Sequence, residues 1–186
     1  MSKLTYYTAV TLDGFIADSD DSLAWLFPQP QEADGPLNYE SFFSGIGALV
    51  MGSTTYEWIL RHSAEVEAET GSSWPYDLPT WVLTSRDLDP VEGADVRFAS
   101  GDIDLVHAEM VAAAKGRDLW VVGGGDLAGQ FADAGLLDEV ITYVAPVTLG
   151  AGRPLLPRRL ELALVETGRN GAFACSRYAV LGPAPW

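Results

Sequence analysis

Three stretches of this 186-residue chain carry residue types and spacings suited to binding an anion. In Val121-Val122-Gly123-Gly124-Gly125-Asp126-Leu127 an apolar run passes through three glycines into sequence that reads as a helix. Glycines let the backbone approach a ligand closely. A helix start offers unpaired N–H donors and the positive end of a dipole, which together form a cradle for a pyrophosphate. The spacing is neither Gly-x-Gly-x-x-Gly nor a P-loop, and a tight strand-to-helix turn would use the same glycines. Val50-Met51-Gly52-Ser53-Thr54-Thr55 repeats the strand–glycine–helix pattern, and Leu83-Thr84-Ser85-Arg86 ends a strand in hydroxyls and a guanidinium. An arginine beside Ser or Thr donors suits a phosphate monoester. N-capping or a solvated loop would explain either stretch alone. Their joint meaning comes from position, since ligands of open α/β sheets bind beyond the carboxyl ends of parallel strands.

Charge makes such sites necessary for any anionic ligand. The formal net charge is −15, and the eleven Lys and Arg residues are scattered. A surface of that sign repels nucleic acid and anionic membranes, so neither is expected as a partner. No apolar run approaches the roughly 20 residues of a membrane helix, and the start of the chain has no signal-peptide pattern. Cys175 is the single cysteine, which excludes a disulfide framework and a cysteine zinc set. Two distant histidines, His62 and His107, make neither a metal set nor a triad. Asp18, Asp20 and Asp21 lack the glycine and closing glutamate of a calcium loop. No metal is expected, and a reducing cytoplasm is the default location.

The elements that must position these residues read as follows. Strands are expected at Leu4 to Val10, Ala48 to Met51, Thr80 to Thr84, Val96 to Ala99, Leu119 to Val122 and Val140 to Val144, with a closing antiparallel pair at Leu162 to Thr167 and Phe173 to Leu181. Helices are expected at Leu37 to Ser44, Thr54 to Arg61, from Asp102 along the stripe Ile103, Val106, Met110, Val111 and Ala114 to a cap at Gly116, and after Gly123-Gly124-Gly125 through Ala134. Thr11 to Pro36 reads as a long acidic loop, and a loop of that length in a compact domain is usually functional. Ser63 to Asp77 reads as a polar surface excursion. Strands alternating with helices, then strands alone, predict a single α/β domain: a mostly parallel central sheet, helices on both faces, an antiparallel C-terminal edge.

The motifs in order are Ala9-Val10-Thr11-Leu12-Asp13-Gly14-Phe15-Ile16-Ala17, then Met51 to Glu57, Leu83 to Arg86, Val122 to Gly125, Leu136 to Val140 and Pro146-Val147-Thr148-Leu149-Gly150-Ala151-Gly152-Arg153-Pro154-Leu155. This set resembles the dihydrofolate-reductase-like superfamily. Its Leu-Gly-x-Gly-x-Pro-Leu segment is most similar to the C-terminal reductase domain of the bacterial riboflavin-biosynthesis deaminase/reductase, RibD. The resemblance implies an NADPH-dependent reductase akin to dihydrofolate reductase or 5-amino-6-(5-phosphoribosylamino)uracil reductase, acting on a small heterocycle or carbonyl compound, in a homodimer. It implies that Ala9 and Ile16 flank the nicotinamide and that Gly52, Ser53, Thr54 and Thr55 face the pyrophosphate. It further implies that Thr84, Ser85 and Arg86 hold the adenosine 2′-phosphate end. Gly123, Gly124, Gly125, Asp126 and Leu127 would close over the pyrophosphate from the opposite side.

The substrate side is less defined. Folate reductases carry an acid on the first helix, and Pro36-Leu37-Asn38-Tyr39-Glu40 offers none that aligns, so folate is expected to be a poor substrate. Tyr39, Tyr143 and Arg153 are candidates to line the substrate pocket, against core or surface roles for Tyr143 and Arg153. Trp25 is a candidate lid over the nicotinamide. No catalytic proton donor is identifiable. True dihydrofolate reductase and a nucleotide-binding sensor without turnover remain the alternatives.

Overall fold

A computed structural model describes residues 2–186. The chain runs β1 (Leu4–Thr11), β2 (Phe15–Ala17), α1 (Tyr39–Ser44), β3 (Ile46–Gly52), α2 (Ser53–Arg61), α3 (Ser63–Thr70), β4 (Thr80–Leu83), β5 (Val96–Ala99), α4 (Ile103–Ala114), β6 (Asp118–Gly123), α5 (Gly125–Asp133), β7 (Glu139–Ala145), β8 (Arg153–Pro154), β9 (Leu160–Asn170) and β10 (Phe173–Pro183). Eight strands form one sheet in the order β5-β4-β3-β6-β1-β7-β10-β9. Neighbours from β5 to β7 pair in parallel. The β7–β10 and β10–β9 pairs are antiparallel.

The period of two along each strand sorts the core into two layers. Leu4 and Tyr6 of β1, Trp81 of β4, Leu119 and Val121 of β6 and Val140 of β7 meet Val106, Met110 and Ala114 of α4 and Leu127, Ala128, Phe131 and Ala132 of α5. Tyr7, Val82, Trp120, Ile141 and Tyr143 turn to the opposite face, against Tyr56 and Ile59 of α2 and Phe42 and Phe43 of α1. Phe131, Tyr56, Met110 and Leu119 are fully buried, and each such side chain contributes roughly 1.5–3 kcal/mol by leaving water. Both faces covered by helices is what makes the parallel strands near-continuously apolar.

The fold matches the expected class, and three local readings need correction. Ser63–Thr70 is a helix, ended by Gly71 in the left-handed conformation at φ 79°, not an irregular excursion. It has almost no apolar stripe, so its alanine- and glutamate-rich sequence favours helix through backbone propensity and gives no periodic signal. The expected loop after Thr11 contains β2, which pairs with the two-residue β8. Neither strand is long enough to show alternation. The end of α4 falls at Lys115, left-handed at φ 53°, one residue before Gly116.

Candidate active site

The strand order reverses between β3 and β6: from β3 the chain moves outward to β4 and β5, and from β6 it moves the other way, past β1 to β7. At such a point the connections leave in opposite directions and open a crevice at the carboxyl ends. A cavity of about 760 Å³ lies there. Gly52, Ser53, Thr54 and Thr55 line it at the start of α2, Thr84 and Ser85 beyond β4, and Gly123, Gly124, Gly125, Asp126 and Leu127 at the start of α5. Ile16 of β2 and Arg153 of β8 complete the part of the wall expected from sequence. Thus three separate strand ends and two nine-residue helices, α2 and α5, face one space.

Both helix starts lack a side-chain cap; Gly52 and Gly124 are the N-cap residues and neither has a side chain to bond the first turn. The first N–H groups of each helix therefore keep their donor capacity for something else. The three glycines of β6–α5 differ in purpose. A Cβ on Gly124 would point toward Ile16, whose Cδ1 would be 3.9 Å away, and so would occupy cavity space. A Cβ on Gly125 would collide with the carbonyl oxygens of Pro154 and Leu155. Gly125 thus lets β8 lie against the start of α5, a packing role. The Gly123–Gly124 peptide is cis.

Other expected residues sit outside the cavity wall. Arg86 lies next to it, with NH1 and NH2 donating to both carboxylate oxygens of Glu57 at 3.0 and 2.7 Å. Ala9 packs among the buried side chains beneath. Tyr143 is 4% exposed and its hydroxyl donates to the Pro36 carbonyl at 2.8 Å. The same oxygen accepts from Asn170 Nδ2 at 3.2 Å, and Asn170 also brackets Glu32 through its N–H at 2.6 Å and its carbonyl at 3.0 Å. These two residues fasten the far end of the 18–38 loop to the sheet. Tyr39 is 43% exposed on α1 and edges onto Trp120. Asn38 is spent on capping α1, accepting from Ser41 N–H at 2.8 Å. Trp25 packs partly into the core, its indole N–H buried and unpartnered. From the same loop it is Asp21 and Leu23 that reach the cavity.

Several wall residues escaped the sequence reading: Thr8, Asp21, Leu23, Trp58, Ile59, Tyr76, Ser100 and Gln130. Helical spacing gives part of the signal, since Trp58 and Ile59 follow Thr55 by three and four positions and share its face. Tyr76 lies where the sequence is irregular, and burial holds its hydroxyl protonated far above the ordinary tyrosine range. Asp13, read only as part of a motif, is an anchor. Its carboxylate accepts from Thr11 Oγ1 at 2.6 Å, from Leu149 N–H at 3.0 Å and from Gly150 N–H at 2.7 Å. These bonds hold it below the usual carboxylate range, the Thr11 hydroxyl contributing most. Through them the loop before Arg153 is tied to β1. Among the described residues no group of His, Cys, Asp or Glu is arranged to hold a metal ion, and no helix is long and apolar enough to cross a membrane.

The profile of the RibD C-terminal domain family matches residues 58–172. Uncharacterized protein YwjB of Bacillus subtilis (strain 168) is 31% identical over 172 residues, spanning 91% of this chain and 92% of that protein. Among solved structures, a Shewanella sp. PV-4 protein named for riboflavin biosynthesis superposes with a TM-score of 0.77 at 23% identity, covering 96% of this chain and 98% of that one. Dihydrofolate reductase from Enterococcus faecalis, solved with NADP(H), superposes with a TM-score of 0.53 at 16% identity, covering 96% of both chains.

Proposed function

The chain belongs to the RibD C-terminal domain family, and from that premise we propose that it is an NADPH-dependent reductase of a small heterocyclic or carbonyl compound. The observation that carries the reading is the convergence of two uncapped helix starts on one cavity at the strand-order reversal. A dinucleotide fits this donor set: the space a Gly124 side chain would fill is open, and helix starts are suited to a pyrophosphate. An NADP(H) complex of a dihydrofolate reductase with this fold supports the same assignment.

In this reading the N–H groups of Ser53 to Thr55 and of Gly125 to Leu127 hold the pyrophosphate. Thr84 and Ser85 bind the adenosine side, with Arg86 beside them for the 2′-phosphate. Thr8 and Ile16 flank the nicotinamide, over Ala9. When bound, the dinucleotide supplies a hydride to an electron-poor carbon, the protein's share being orientation and exclusion of water. The electron pair released onto the substrate heteroatom must take up a proton; Tyr76 lines the wall, but burial makes its hydroxyl a weaker acid than an ordinary tyrosine, which disfavours it as the donor. Asp18 Oδ1 accepts from the N–H groups of Asp20 and Ser22 at 2.9 and 2.8 Å, which fixes the turn that carries Asp21 to the cavity wall.

Calorimetric titration with NADPH, followed by NADPH oxidation against a panel of conjugated carbonyl and heterocyclic compounds, tests the proposal. Stoichiometric binding with turnover of at least one compound is expected. Absence of NADPH binding would overturn it, and binding without turnover across a broad panel would instead favour a sensor.

A further inference from the structure

Resting on the reductase reading, the second ligand of the cavity can be narrowed by the charge and shape of its wall. The charged wall residues are Asp21, Asp126 and Arg153. Arg153 is committed, its Nε and NH2 donating to the two carboxylate oxygens of Asp21 at 2.6 and 3.1 Å. Asp126 is met from outside the cavity by Arg158 at 3.0 Å and accepts from Gln130 at 3.0 Å. The wall therefore holds one more acid than base, and its single cation already has a bidentate partner. A phosphorylated substrate placed beside Arg153 would have to displace Asp21 or lie against it.

The wall away from the two helix starts is apolar and aromatic, formed by Ile16, Leu23, Trp58, Ile59 and Tyr76. The rings are held in place by their neighbours. Trp58 stacks on His62 at 4.1 Å between centroids and is flanked by Phe27 at 6.5 Å. Tyr76 meets Trp74 and Trp120 edge to face at 5.5 and 5.7 Å. Fixed aromatic faces favour offset stacking or edge contact with another flat ring, and such a ring loses nothing by lacking charge in a site whose cation is already paired.

We propose that the substrate is a flat, uncharged, conjugated ring carrying a carbonyl or imine and no phosphate or carboxylate, received against Trp58, Ile59 and Tyr76. Asp21 sets this preference by occupying Arg153. The class differs from the phosphoribosylated pyrimidine that the RibD resemblance implies.

The test uses the full chain saturated with NADP⁺, so that binding is read without turnover. NADP⁺ affinity is measured first; its absence would sink the reductase reading and this inference with it. Equilibrium dialysis then compares menadione, 5-amino-6-(5-phosphoribosylamino)uracil and the dephosphorylated form of the latter. The two uncharged compounds are expected to bind at least about tenfold more tightly than the phosphorylated one. Asp21→Asn, which releases Arg153, is expected to raise affinity for the phosphorylated compound by about tenfold or more. Trp58→Leu should weaken menadione and leave the order of the other two unchanged. Tightest binding of the phosphorylated compound in the unaltered protein, no change on Asp21→Asn, or no binding of either uncharged ring to the NADP⁺-loaded protein would each overturn the proposal while leaving the cofactor assignment intact.

Discussion

Arg86 and Glu57 form a two-pronged pair at the rim of the cavity, with N···O separations of 3.0 and 2.7 Å. Glu57 lies on α2, one turn after the helix start that faces the proposed pyrophosphate, and Arg86 follows the end of β4. The guanidinium proposed to read the 2′-phosphate is thus already held by a carboxylate, and it must leave Glu57 or share it to bind the cofactor. Arg86→Ala should weaken NADPH by about tenfold or more, the scale of one charge-assisted contact, and barely change NADH. Glu57→Gln should do the reverse, strengthening NADPH selectively. Dissociation constants for both cofactors in all three proteins check this; parallel changes for NADPH and NADH would show that Arg86 does not discriminate.

Gly124 and Gly125 are neighbours with separable roles. A Cβ added at 124 meets no neighbour closer than Ile16 Cδ1 at 3.9 Å, and the position faces the cavity. Gly124→Val should therefore retain a thermal midpoint close to that of the unaltered protein and lose NADPH binding by about 100-fold or more, the scale expected when a side chain takes a ligand's place. Gly125→Ala drives a methyl into the Pro154 and Leu155 carbonyls and should instead lower stability by about 1–3 kcal/mol, as overpacking does. Thermal melts and calorimetry on the two variants separate binding from packing.

These two glycines also mark how far the sequence could be read. An apolar run, a glycine and a helix start are legible because each step changes the local pattern, and that is why the ends of β3 and β6 and the elements around them were expected correctly. Which glycine faces a ligand and which faces β8 depends on a contact across some thirty residues, and no local pattern records it. The aromatic wall was hidden for a similar reason. Trp58 reads as one more apolar helix position, and Tyr76 joins it only because 71–79 folds back over Trp120. Tyr143 was expected near the substrate from its central strand, and it does enter the layer that holds Ile59 and Tyr76, but strand position does not show what its hydroxyl binds. Here the hydroxyl is taken by Pro36 of the 18–38 loop and by Asn170. The Asp21–Arg153 pair spans 132 positions and has no sequence signature.

Asp13 gives a pH-dependent prediction. Its carboxyl is held below its ordinary value by the Thr11 hydroxyl and the Gly150 and Leu149 N–H groups. A carboxyl lowered in the folded state contributes stability that is present above its unfolded pKa of about 3.9 and is lost as pH falls through the folded value. Asp13→Asn should melt below the unaltered protein at neutral pH. The gap should close as pH falls below about 4, once both side chains are uncharged. A gap that stays constant down to the acid limit would show that the charge is not what ties Leu149 and Gly150 to β1.

The closing strands bear on assembly. Strand β9 forms an edge of the sheet, and Leu164, Val165 and Leu181 are 60%, 57% and 61% exposed on the β9–β10 pair. An apolar edge strand left open is a pairing hazard, and we propose that a second copy covers it in a homodimer. Light scattering at micromolar concentration should give twice the chain mass, and Leu164→Glu with Val165→Lys should reduce it to the monomer. A monomer mass for the unaltered protein would dispose of the proposal.

The last prediction concerns folate. The first helix, α1, holds Glu40 as its first-turn acid, and neither Glu40 nor the preceding Asn38 and Tyr39 contributes to the cavity wall. Asn38 spends both ends of its amide locally, donating to the Gly35 carbonyl at 2.9 Å and accepting from Ser41 N–H at 2.8 Å. The acids that do reach the cavity are in other hands: Asp21 is held by Arg153 and Asp126 by Arg158. A pterin bound beside the nicotinamide would therefore find no free carboxyl to pair with its ring nitrogens and deliver a proton. Dihydrofolate should consequently give kcat/KM below about 10⁴ M⁻¹s⁻¹, the lower end of the usual enzyme range. A value within the usual range in steady-state NADPH oxidation would show that another group serves as the acid, and would return true dihydrofolate reduction to first place.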